Sequence, residues 1–213
     1  MEAWLVALVI GVIVLLGVLW ITNKQGRHVQ LPGRNQPGEK QTHASNADAI
    51  LGLRDMLYSK QRLDEALEDY RSQDDGRQEG ESDLVLGVVA EMGMERGAAI
   101  IAGYINGDAR IFWTTGGGII GDMRQYPDIV TAAKTLVNTA QKVVTQLPVE
   151  TTRPLPDPGR IRFALLTLAG MHVADEKQSD VEEPNHPLYQ LYASLQDLIT
   201  QLRLLDEAAA KRR

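Results

Sequence analysis

The chain has 213 residues, of which 44% are hydrophobic and 23% charged, and these proportions are typical of a globular protein rather than a disordered one. Its formal net charge is -6 and its basic residues are scattered, which argues against nucleic acid as a partner. The sequence contains no cysteine, which excludes disulfides, thiolate catalysis and cysteine-bound metal sites.

An uncharged apolar run occupies positions 3–21. A run of about 19 residues can cross the hydrocarbon core of a membrane as a helix, and Trp4 and Trp20 stand at its ends, where aromatic side chains favour the interface. Glu2 precedes the run and no small-residue cleavage site follows it, unlike a cleaved signal peptide. We therefore predict a retained transmembrane anchor over residues 1–22.

The residues after this run predict its orientation. Basic residues follow the span and none precedes it, so the positive-inside rule predicts a single-pass protein of the inner (plasma) membrane with its C-terminal domain in the cytoplasm. Residues 23–44 are rich in Gly, Pro, Gln and charge without periodicity, which is typical of a flexible tether. Residues 45–213 form the predicted soluble domain.

Three amphipathic patterns predict helices in this domain, because apolar residues recur at spacings of three and four. The first helix follows the potential capping residue Ser45 and extends to Tyr70. The second begins at Pro127 and the third near Asn185.

Runs rich in β-branched and aromatic residues predict five strands, at about residues 84–93, 98–105, 109–115, 160–168 and 171–175. Asn106-Gly107 is the dipeptide that a two-residue hairpin turn prefers, which favours antiparallel pairing. The order of elements predicts an α+β fold. It comprises an N-terminal transmembrane helix and one domain with a five-stranded, mainly antiparallel sheet and three helices.

The sequence TTGGGIIGD at residues 114–122 is the most distinctive segment. Consecutive glycines permit backbone angles that a side chain would forbid, and they allow another group to approach closely. The segment is interpreted either as a sharp turn out of an edge strand or as a contact loop for a ligand or partner. The residues of the predicted contact loop are Thr114, Thr115, Gly116, Gly117, Gly118 and Asp122.

Three motifs in the same order resemble an uncharacterised bacterial protein family with no known activity. They are the strand entering TTGGGIIG at residues 114–121, PLPDPGRIRF at 154–163 and QLR at 201–203 in the last predicted helix. The resemblance covers roughly residues 84–205 and implies no activity. Thr114 stands where the family pattern has serine.

No catalytic or metal-binding constellation stands out. The sequence has no nucleophile elbow and no serine with an obvious base. His172 and Asp175 are close in sequence, but a strand would project them to opposite faces. We therefore expect no catalytic residue, metal or cofactor. A hydrolase that uses Thr115, or His172 with Asp175, is the enzymatic alternative.

These observations favour a membrane-anchored cytoplasmic binding or scaffold domain that recruits or regulates a partner protein. Anchoring raises the effective concentration of a binding module toward other membrane-bound proteins. A homodimer could form through the sheet or a helix. The alternative is a sensor that binds a small anion at Gly116, Gly117 and Gly118, whose amides could form a concave nest.

Overall fold

A computed structural model of the protein describes residues 43–73 and 82–211. No helix within these two ranges is long and apolar enough to cross a membrane. The predicted anchor at residues 3–21 and nearly all of the predicted tether lie outside the described residues.

Five α-helices are present in the described part of the chain. Two precede the sheet, one connects its two halves, one is a single turn and the last ends the described region. Their bounds are α1 His43–Leu57, α2 Lys60–Gln73, α3 Pro127–Gln141, α4 Gln178–Val181 and α5 Tyr189–Lys211. Two short 3₁₀ turns, η1 Met123–Gln125 and η2 Val144–Gln146, flank α3.

One antiparallel sheet of seven strands forms the centre of the fold, in the order β4-β3-β2-β1-β6-β7-β5. The central strand, β1, pairs with β2 on one side and β6 on the other. The strand bounds are β1 Val85–Gly93, β2 Ala98–Tyr104, β3 Ala109–Trp113, β4 Gly118–Ile119, β5 Val149–Glu150, β6 Arg160–Thr167 and β7 Met171–Lys177.

The face of the sheet that bears Gly103 packs against α3 and α5, and we call it the apolar face. A methyl group on Gly103 would lie 3.2 Å from Leu198 and 3.3 Å from Leu136, so glycine lets both helices approach β2 closely. Each helix turns an apolar stripe inward. The buried residues are Ile129, Ala132, Ala133, Leu136, Val137 and Ala140 in α3, and Leu191, Tyr192, Leu195, Gln196, Leu198, Ile199 and Leu202 in α5.

The opposite face bears Glu91 and Tyr104, and we call it the charged face. The Tyr104 hydroxyl donates a 2.8 Å hydrogen bond to the carbonyl of Leu57 at the end of α1. Gly87 makes room for the Tyr104 ring, because a methyl group at this position would lie 2.6 Å from a ring carbon. Helix α2 also contacts β1. The helices α1 and α2 therefore form a separate layer on this face.

The predicted fold class is wrong in its details: the sheet has seven strands rather than five, and five helices rather than three flank it in the described ranges. Strands β4 and β5 have two residues each, too few for a pattern of alternation. The predicted first helix is two helices, because the chain turns at Tyr58 and Ser59, where the Ser59 hydroxyl accepts from the Arg62 amide. No membrane-spanning helix is found between residues 43 and 73 or 82 and 211.

The other part of the fold prediction is confirmed. The domain is α+β with an antiparallel sheet, and the five longer strands begin within two residues of their predicted starts. Helix α3 begins at Pro127, where the fixed φ of proline suits the first helical position.

Substitution at Gly103 should destabilise the domain. Gly103→Val places a branched side chain against Leu136 and Leu198, and overpacking of this kind reduces the free energy of unfolding by about 1–3 kcal/mol. Gly52→Ala in α1 is the control. A methyl group there meets no atom within 4 Å, and alanine favours a helix by about 0.8–1 kcal/mol over glycine. The free energy of unfolding, measured with denaturant, should fall in Gly103→Val and rise in Gly52→Ala. Equal stability of the two variants would contradict the close packing described at Gly103.

Candidate functional site

The glycine segment forms the turn of the β3–β4 hairpin, at an edge of the sheet. The Trp113 amide donates to the Gly117 carbonyl at 3.1 Å, and the Gly116 amide donates to the Trp113 carbonyl at 2.9 Å. Phe112 then pairs with Gly118 in the ladder. Five of the six predicted contact residues therefore lie together, in this turn and at the start of β4.

Thr114 joins this turn to the neighbouring turn between β1 and β2. Its side-chain Oγ1 accepts a 2.8 Å hydrogen bond from the Ala98 amide, and its own amide donates to the Ala98 carbonyl at 2.9 Å. The Thr114 hydroxyl therefore has a structural partner. Thr115, one position further, is exposed at the tip.

The three glycines are needed for two different reasons. Gly116 and Gly117 have φ angles of 108° and 85°, in a region that residues with side chains rarely adopt, although a methyl group there would meet open space. Gly118 is instead crowded. A methyl group on it would lie 2.5 Å from Phe112 Cβ and 2.6 Å from the Ile111 carbonyl oxygen.

The structure separates Asp122 from the other predicted contact residues. Its carboxylate accepts from the Arg124 amide at 3.1 Å and from Arg124 Nε at 2.9 Å. Arg124 also donates to Asp69 of α2 at 2.6 Å, and Asp69 accepts from Asn106 in the turn between β2 and β3. That turn lies at the opposite end of β3 from Gly116. Asp122 therefore belongs to a cluster that holds α2 on the sheet.

The backbone of the hairpin presents an open strand edge rather than a concave group of three amides. The Gly116 amide is used within the turn. The Gly117 carbonyl points to β3, and alternate residues of a strand point their backbone groups to alternate sides, so the backbone groups of Gly118 point away from β3. This geometry favours contact with an extended chain over the binding of an anion.

Sequence analysis missed a buried ionic cluster on the charged face. Glu91 lies in the central strand with 0% exposure. Its carboxylate accepts from Arg54 Nε at 2.6 Å, from Arg54 Nη2 at 2.9 Å and from the Tyr58 hydroxyl at 2.9 Å. Burial and the nearby Glu91 charge both raise the pKa of Tyr58 well above its usual range. A lone carboxylate within the apolar run of β1 was the available signal.

The cluster continues across the charged face as a set of matched pairs. Arg162, next to Glu91 in the ladder, donates to Glu150 at 2.7 Å and to the Thr152 carbonyl at 2.8 Å. Each arginine of the set faces a carboxylate, which is typical of a structural network rather than of a charged ligand site. The pairs are Arg54 with Glu91, Arg153 with Asp55, Arg160 with Asp175 and Arg162 with Glu150.

A second buried carboxylate anchors α2. Asp108 is nearly inaccessible and contacts the guanidinium of Arg62, with Arg110 at 3.5 Å. The Arg62 guanidinium also stacks over the Tyr104 ring, 4.9 Å from its centroid. Burial raises the pKa of Tyr104 to about 12, so its hydroxyl is a hydrogen-bond donor at neutral pH.

His172 and Asp175 lie on opposite faces of β7, as their spacing predicts. Asp175 pairs with Arg160 on the charged face. His172 Nδ1 is 3.2 Å from the Leu147 carbonyl, and its Nε2 is buried without a hydrogen-bond partner among the described residues. The structure therefore does not bring the two side chains of the hydrolase alternative together.

Comparisons with protein families, curated proteins and solved structures find no match to this chain. The geometry of the chain itself is therefore the basis for the functional proposal.

Gly117→Val should reduce the free energy of unfolding by about 1–2 kcal/mol, because valine must adopt a positive φ at this position. Thr115→Val, at the neighbouring exposed position, is the control and should change stability by less than about 0.5 kcal/mol. Denaturant unfolding of the two variants measures the difference. If Gly117→Val were as stable as the wild type, the turn conformation would be incorrect.

The ionisation of Asp122 should depend on Arg124. The Arg124 side chain, followed by its amide, lowers the pKa of the Asp122 carboxyl below its ordinary value. NMR titration should show this pKa rising in Arg124→Ala but not in Arg160→Ala, which removes an arginine from a different cluster. Since the folded-state pKa is depressed, the contribution of this pair to stability is present above the ordinary pKa and is lost as the pH falls through the depressed value.

Proposed function

We propose that this chain is a protein-binding module whose partner contacts the open edge formed by the β3–β4 hairpin. The observation that carries the proposal is the outward direction of the Gly118 backbone groups, close in the chain to an Ile120 side chain that is 39% exposed. A strand edge with unpaired backbone groups can bind an extended segment through main-chain hydrogen bonds, while neighbouring side chains supply specificity.

The hairpin is also suitable for binding an extended partner because hydrogen bonds and strand pairing fix its conformation. The Thr114 contacts with Ala98 fix the tip to the β1–β2 turn, and the Ile111–Ile119 pair fixes β4 to the sheet. A preorganised edge loses little conformational entropy when a partner binds. Thr115 and Gly117 are exposed at the tip, where they can add contacts.

The proposal includes attachment to the cytoplasmic face of the inner (plasma) membrane through residues 3–21. Its support is the length and apolar character of that segment and the basic residues that follow it. A module held at a membrane meets membrane-bound partners at a raised effective concentration. Two copies of the chain could also meet at this edge, and they are one class of partner that the experiment below identifies.

Site-specific photo-crosslinking in cells tests the proposed edge. A photoreactive residue is introduced into the full chain at Thr115 or Ile120, and at Asn138 on the exposed side of α3 as the control. We expect a discrete crosslinked product from the two hairpin positions and none from the control. Its mass distinguishes a second copy of the chain from another protein.

A second substitution examines whether the edge itself makes the contact. Ile120→Asp introduces a charge at the exposed edge and should reduce crosslinking from Thr115 by at least about tenfold, whereas Thr131→Asp on α3 should leave it unchanged. The proposal would be contradicted if Thr115, Ile120 and Asn138 gave equal amounts of crosslinked product. It would also be contradicted if the product from Thr115 persisted in Ile120→Asp.

A further inference from the structure

We infer that α1 and α2 form a releasable cover, which leaves the charged face as one unit while the sheet, α3 and α5 remain folded. This inference is independent of the proposed partner at the hairpin. It rests on how the two helical layers are attached to the sheet.

The two layers differ in the chemistry of their contacts. Helices α3 and α5 cover the apolar face with continuous stripes of buried residues, nearly all of them apolar. Within residues 50–72, by contrast, the buried residues of α1 and α2 are only Arg54, Leu57, Ala66 and Leu67. The other apolar side chains of the cover that reach the core, Ile50, Leu53, Leu63 and Tyr70, are only partly buried. Tyr58, Arg62 and Asp69 make polar contacts with the rest of the domain.

Buried ion pairs make this attachment all-or-none. Loosening α1 alone would leave Glu91 buried without Arg54, and a buried charge that loses its partner is strongly destabilising. If the whole cover leaves, however, water reaches Glu91 and Arg54 together. Both charges regain hydration, so the pair opposes partial opening much more than complete release.

The second anchor couples α2 to the same event. Arg62 binds Asp108 and stacks on Tyr104, while the Tyr104 hydroxyl binds the carbonyl of Leu57 in α1. The same tyrosine therefore holds both helices. Release would uncover a surface that carries two carboxylates, Glu91 and Asp108, among apolar residues of β1 and β2.

Thiol labelling of the full chain tests the inference, because the natural sequence has no cysteine. Ala102 and Ala99 are both completely buried in β2, but Ala102 shares the charged face with Tyr104 and Ala99 shares the apolar face with Gly103. Ala102→Cys should react with a thiol reagent at least tenfold faster than Ala99→Cys. Equal rates would overturn the inference, because the two faces would then open only together.

Substitutions at the ion pair give the second readout. Arg54→Ala leaves Glu91 unpaired and should accelerate labelling of Ala102→Cys by a factor of about 100 to 1,000, while Ala99→Cys, which reacts only through global unfolding, should stay at least about tenfold slower than Ala102→Cys. Arg54→Met combined with Glu91→Leu should return the rate to the wild-type value or below, since an apolar pair replaces an ionic one.

Lys60→Ala serves as the matched control, because Lys60 and its partner Asp64 are exposed and lie in the same helix α2, and labelling should change by less than about fivefold. If the two cysteines reacted at equal rates in Arg54→Ala, the cover would not be a separate unit and the inference would be overturned. The same conclusion would follow if Arg54→Ala had no effect on either cysteine.

Discussion

The fully buried side chain of Glu91 in the middle of the sheet is the constraint on which the N-terminal half of the fold depends. A carboxylate without water needs a positive partner and hydrogen-bond donors, and Arg54 and Tyr58 of the α1 region provide both. Arg54 lies in the last turn of α1 and Tyr58 directly follows this helix, so the end of α1 directs both side chains toward the same carboxylate. The placement of α1 over β1 follows from this requirement.

The two faces of the sheet illustrate two ways to stabilise a layer. On the apolar face, glycine at position 103 permits close helix packing, and the stabilisation is the non-directional burial of hydrocarbon. On the charged face, paired groups must meet at defined positions, so geometry rather than area determines the arrangement. The extended segment before β6 takes part, since Thr152 and Arg153 accept hydrogen bonds through their carbonyls.

Sequence periodicity was sufficient for elements whose own residues show the pattern. The longer strands and α3 were predicted because runs of β-branched and aromatic residues, the apolar stripe of α3 and Pro127 are local signals. The two-residue strands β4 and β5 exist only through pairing with distant residues, and no local pattern indicates them. The break at Ser59 was missed because the apolar positions continue through it.

The candidate site was predictable only in part for a similar reason. Three consecutive glycines marked the turn correctly, but the sequence could not show that Gly118 avoids a clash while Gly116 and Gly117 provide positive φ angles. Asp122 was assigned to the same loop by proximity in sequence, although its carboxylate pairs with Arg124. The partner of Glu91 is 37 positions away, and a single sequence carries no signal for that distance.

The short outer strands also affect how the protein behaves when it is concentrated. Strands β4 and β5, which end the sheet at its two sides, have only two residues each. Short edge strands offer few backbone groups for uncontrolled pairing, which protects a sheet from edge-to-edge aggregation. Because β4 is so short, any chain that pairs with it gains few main-chain hydrogen bonds. Discrimination between different binding segments must therefore come from their side chains.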